Sequence, residues 1–233
     1  MKNDVKYINV PVSLFSGIFK NKQKIMSDFL GYSVYKYSQT MKYGDNDVEK
    51  ISDAADYFGI RFGNNNSASS LEKVISDAKI VEKNIPDGIP TASLNFIVFW
   101  EFYKNPKTEF QLVCFCAFCA IKSILGKKQW CKTNKNMILS RMFWEDKESE
   151  FFKKYSTRKM FEKIIIELQI GGWLLKKYSN NTRGIFLSFK KSLEELAYIA
   201  EVKKAINRKN ELLEKTKQAR KNALENVNKI FND

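Results

Sequence analysis

Cys114, Cys116 and Cys119 form a C-x-C-x-x-C cluster, the spacing in this chain that most directly suggests metal or iron–sulfur chemistry. The cluster lies inside the apolar stretch FQLVCFCAFCAIKSIL. Read as a helix, that stretch puts Cys116 and Cys119 on one face but Cys114 and Cys116 about 200° apart around the axis. Tetrahedral thiolate sites usually draw their ligands from a turn, and the chain holds no histidine to complete one. The three thiols, with Cys131, are therefore expected to pack as small hydrophobes in a reducing compartment. The lack of histidine also removes Ser–His and Cys–His nucleophilic pairs, His-ligated metals and imidazole acid–base catalysis. No Walker-type phosphate loop, G-x-G-x-x-G or H-E-x-x-H is present. The expectation is a protein that is not an enzyme, with no cofactor, no metal and no identified small-molecule substrate.

Cationic side chains are the other candidates for chemistry, and their distribution is uneven. Residues 1–90 carry 12 Lys/Arg against 11 Asp/Glu, residues 91–192 carry 19 against 8, and residues 193–233 carry 9 against 7. Most of the +14 net charge therefore sits in the middle stretch. A surface this positive attracts polyanions. AT-rich coding would raise Lys throughout, so the near-neutral first ninety residues argue against composition bias as the whole cause.

The elements that must position these groups can be read from periodicity. With 233 residues, 44% hydrophobic and 14% aromatic, the chain can bury a core and hold one large or two small domains plus an extension. The start, MKNDVKYINVPV, lacks a secretory apolar segment. The longest apolar run, Leu112 to Ile121, is about half the ~20 residues needed to span a bilayer, so a soluble, cytoplasmic protein without membrane association is expected. Residues 5–12 read as a short strand or an extended arm. Helices are expected over 22–41 and 47–58 and after Ser70, then over 93–104 and 109–125, the last opened by a Thr108/Gln111 capping box. Pro86, Gly88 and Pro90 mark a boundary, giving units at 1–90, 91–191 and 192–233. Ser192 and Glu195 cap a long charged C-terminal helix whose apolar positions follow a heptad only loosely. That helix is expected to pack back on the body and then fray, with a homodimeric coil as the other reading.

Residues 109–189 resemble a winged helix-turn-helix domain. The order is a helix at 109–125, a strand at Gln129–Cys131, a helix from Thr133, a helix from Ser156, then Gly171-Gly172 and the strand–turn–strand WLLKKYSNNTRGIFLSF. In the helix from Ser156, Phe161, Ile164, Ile165 and Leu168 mark one buried face. The resemblance implies a mainly α fold with a small β-hairpin and double-stranded DNA as partner. Thr157, Arg158, Lys159 and Lys163 would read bases from a helix capped by Ser156. Lys127, Lys128, Lys132, Lys135, Lys153, Lys154, Lys176 and Lys177 would hold phosphates. Asn180, Asn181, Thr182 and Arg183 would form the wing tip. One departure stands out: about twelve residues, WEDKESEFFKKY, separate the two helices where the family commonly has a three- or four-residue turn. Either a further short helix is inserted there, or the first helix is misassigned.

Ala55, Gly59 and Ile60 stand at the spacing of a second helix-turn-helix in the neutral half. Two such domains in tandem resemble replication initiators of plasmids and mobile elements, whereas a single active one resembles a transcriptional regulator. The competing class is a non-catalytic interaction module that uses the winged helix as a scaffold and the C-terminal helix as a partner site.

Overall fold

In the computed structural model, residues 7–15, 18, 21–105, 108–144, 148–179 and 184–232 are described. Among the described residues the chain is mainly helical with two small antiparallel sheets. Strand β1 (Tyr7–Pro11) leads through a single 3-10 turn (Val12–Phe15) to helices α1 (Lys22–Ser38), α2 (Asp47–Phe58) and α3 (Ala68–Lys83). Strand β2 (Thr91–Asn95) then pairs antiparallel with β1, from Tyr7 opposite Asn95 to Pro11 opposite Thr91. Residues 93–95, expected to begin a helix, thus belong to a strand, and α4 covers only Phe96–Lys104. The alternation of TASLN explains this: Ala92 and Leu94 are buried, whereas Thr91 is exposed and Ser93 and Asn95 are half-buried.

Several local signals act as the residue types dictate. Gly59 takes the left-handed conformation at the end of α2. Its N–H donates to Asp56 O and the Ile60 N–H to Ala55 O, the paired bonds that close a helix when the residue past its end adopts positive φ. Helix α3 opens at Ser67 rather than Ser70, whose hydroxyl instead hydrogen-bonds that of Ser67 at 2.9 Å. The capping box at the head of α5 (Glu109–Leu125) is complete: Gln111 N–H donates to Thr108 Oγ1 and Thr108 N–H to Gln111 Oε1.

Helix α5 is the centre of the molecule. Ten of its residues are buried, the three clustered cysteines among them, and it packs against β2, α6 (Lys135–Phe143) and α8 (Arg158–Ile170). The ring of Phe115 on α5 lies 5.5 Å from Phe15, 6.0 Å from Phe29 and 4.6 Å from Phe102. One continuous hydrophobic cluster therefore runs from Ile8 to Leu187. The junction at residues 90/91 falls where the chain enters β2, inside the sheet that β1 and β2 share.

After α5 come β3 (Cys131–Thr133), α6, a short α7 (Glu150–Tyr155), α8, β4 (Lys176–Tyr178) and β5 (Ile185–Ser188). The short α7 is the extra helix that the long connection allowed. The second sheet has the order β3-β5-β4, with both pairings antiparallel. Gly184, at φ +123°, lets β5 approach β3: a Cβ there would stand 2.9 Å from Thr133 O.

Helix α9 (Leu193–Asn232) starts at the expected Ser192/Glu195 capping box. Leu196 and Ala200 bury against Phe186, covering the outer face of the second sheet. From Glu201 to Glu225 the side chains are exposed, apart from a half-buried Lys204. The helix leaves the body after two turns instead of packing back along it; at 1.5 Å per residue its whole length is about 60 Å.

Candidate nucleic-acid interface

Helix α8 sorts its residues by chemistry. Phe161, Ile164, Ile165 and Leu168 are buried, and α5 packs against the helix. Arg158, Lys159, Glu162 and Lys163 are exposed. Its cap is Thr157, not Ser156: Met160 N–H donates to Thr157 Oγ1 at 3.3 Å, while Ser156 ends α7 by donating its own N–H to Phe152 O. The cap therefore stands one residue later than expected. Its first turn still directs free N–H groups and the positive end of the helix dipole outward.

Arg158 is 89% exposed and pairs with Glu162 at 3.1 Å. A solvent-exposed i,i+4 pair of this kind holds its partners weakly. Lys153, Lys159 and Lys163 are exposed with no ion pair to another described residue. The outer face changes toward the C-terminus, where Ile166 is 52% and Ile170 77% exposed, followed by Leu174 in the connection to β4.

Other expected phosphate contacts have structural duties. Lys135 Nζ donates to Ser156 O at 3.1 Å, tying the head of α6 to the α7–α8 junction. Lys154 pairs with Glu109 at 2.8 Å, and Tyr155 donates its hydroxyl to the same carboxylate. Those bonds, Lys154 first, hold the Glu109 carboxyl below the usual range. Lys132 lies with its ammonium 5.8 Å from the ring of Phe186. Lys176 and Lys177 are successive strand residues and so address opposite faces of the sheet. Asn180, Asn181, Thr182 and Arg183 fall outside the described residues, as do Glu145 and Asp146 of the acidic connection.

All four cysteines are free and buried. Among the described residues no cluster of His, Cys, Asp or Glu could hold a metal ion. Burial pushes the Cys114 thiol up to about 12 and Cys131 up to about 11, and raises Cys116 and Cys119 as well. These thiols stay protonated and unreactive near neutral pH. The unfolded chain would ionise them near ~8.5, so from that pH upward the unfolded state loses protons that the folded state retains. The stability from keeping these thiols neutral is thus full below about pH 8.5 and falls as pH rises toward 11–12. Thermal melts between pH 8 and 10 are expected to show this decline, and Cys114→Ala should flatten it.

One group of residues carried no warning in the sequence. Lys122 is a lone cation one turn from the end of the apolar α5, and it lines a cavity together with Phe118, Phe189 and Lys190. A single Lys in an apolar helical run is the available signal, and by itself it is weak. Among the described residues no helix is long and apolar enough to cross a membrane. No protein-family profile, no curated protein and no solved structure matches this chain.

Proposed function

We propose that residues 109–189 form a winged helix-turn-helix domain that binds double-stranded DNA, with α8 as its recognition helix. The carrying observation is the exposed cationic start of α8: Thr157 and Arg158 are exposed at its N-terminal end, and Lys159 and Lys163 stand on the face opposite the buried Phe161–Leu168 stripe. Support comes from the order of elements: α8 leads directly into paired β4 and β5, and β5 lies between β4 and β3. An α-helix fits the major groove, where Arg and Lys reach guanine edges and phosphates. In this reading the protein is a transcriptional regulator or a replication-initiator-like protein of a mobile element. The α2–α3 pair, with its Ala55–Gly59–Ile60 turn, serves as a second, packing helix-turn-helix.

The test is a fluorescence anisotropy titration of a labelled duplex at several salt concentrations. A protein making six or more phosphate contacts loses about 10³-fold or more in affinity between roughly 50 and 200 mM salt. Binding that is absent at low salt contradicts the proposal. A second reading, a non-catalytic interaction module, draws on the exposed Ile166 and Ile170 and on the free-standing part of α9. It predicts no duplex binding at any salt.

A further inference from the structure

Two adjoining cavities lie where the β1–β2 sheet, α5 and the segments flanking the β4–β5 pair meet. The first, about 350 Å³, has an aromatic wall: Trp173 lies 5.1 Å from Phe118 and 5.8 Å from Phe102, and Phe189 lies 5.1 Å from Phe118. The second, about 600 Å³, is lined by polar side chains that include Asn9, Ser93 and Gln129, and by Lys127 and Lys128. Tyr7, Lys122, Phe189 and Lys190 border both. Among the described residues no carboxylate lines either one.

Lys122 is the unusual group. It is half-buried, its ammonium sits 5.0 Å from the ring centre of Phe189 and 5.6 Å from that of Phe118, and no described carboxylate pairs with it. Burial, and then the nearby Lys190 charge, pull its pKa below the ordinary lysine value. The two ring faces offset part of the cost of a half-buried cation beside a second cation, and an anion between the two lysines would offset the rest. Four lysines around a polar chamber, opening onto an aromatic one, match a ligand with a flat ring system at one end and several negative charges at the other. The combined volume suits a small-molecule site.

We propose that these joined cavities bind a nucleoside polyphosphate, with the base against Trp173, Phe118 and Phe102 and the phosphates on Lys122, Lys190, Lys127 and Lys128. This site is separate from α8, and it takes Lys127 and Lys128, expected from the sequence to hold DNA phosphates, for the nucleotide instead.

The full chain, without DNA, is titrated with ATP, GTP, CTP and UTP while tryptophan fluorescence and calorimetric heat are recorded. At least one nucleotide is expected to quench fluorescence saturably, and Trp173→Phe should remove that signal while leaving the heat. Lys122→Met and the exposed Lys190→Gln are each expected to weaken binding about tenfold, the loss typical of one charge-assisted hydrogen bond. If Lys122→Met fails to melt cooperatively, Lys190→Gln carries the test. The nucleoside alone and inorganic tripolyphosphate alone should each bind at least tenfold more weakly than the nucleotide. The proposal is overturned if no nucleotide binds at millimolar concentration, if Lys190→Gln binds unchanged, or if tripolyphosphate alone binds as tightly as the nucleotides.

Discussion

Replacing Arg158, Lys159 and Lys163 together with Ala is expected to weaken duplex binding by more than about a hundredfold, because each good base-edge contact contributes ~1–3 kcal/mol. The three side chains are exposed, and the only described ion pair among them is Arg158–Glu162 on the surface. Stability should therefore stay within about 1 kcal/mol of the parent. A matched variant, Lys42, Lys73 and Lys83 to Ala, removes the same charge from exposed positions in the neutral half. It is expected to change affinity only a few-fold. Equal losses from both triples would mean that the duplex responds to net charge alone and that α8 has no special role.

Phe29→Ala is expected to lower the melting temperature of the whole chain by roughly 10 °C. Phe29 is buried on α1, with its ring 5.2 Å from Phe15, 4.4 Å from Phe99 and 6.0 Å from Phe115. Removing a buried phenyl ring costs about 3–5 kcal/mol, and in a chain of this size each kcal/mol lowers the midpoint by about 2–4 °C. Because these rings join residues from both sides of position 90, the loss should appear as one shifted transition by calorimetry. Two transitions with only one displaced would show that 1–90 and 91–191 unfold separately despite the shared sheet.

The helices were legible where local rules decide them. The limits of α2 and α5, and the capping boxes at Thr108/Gln111 and Ser192/Glu195, follow from side-chain hydrogen bonding within one turn and need no tertiary information. The β2 strand was hidden because TASLN alternates over only five residues before an apolar helical run, and its partner β1 lies 80 to 88 positions away. Ser156 and Thr157 both carry a hydroxyl able to cap α8, so the sequence leaves a one-residue ambiguity there. What made Ser156 the end of α7 was the insertion of that helix. The fates of individual lysines were hidden for the same reason. Nothing local shows that Lys154 would meet Glu109, 45 positions away, or that Lys135 would hold the Ser156 carbonyl. Charge counting identified a cationic region, whereas only packing separates the lysines left free from those already engaged.

The most direct test of the DNA-binding account is site-specific photocrosslinking to a duplex. A photoreactive residue is placed at Lys163 on the outer face of α8, and separately at the exposed Lys73 on α3. Binding through α8 should give a crosslink to DNA from position 163, suppressed by competing unlabelled duplex, and none from position 73. A crosslink from 73 but not 163, or from neither under conditions where the duplex is bound, would contradict it.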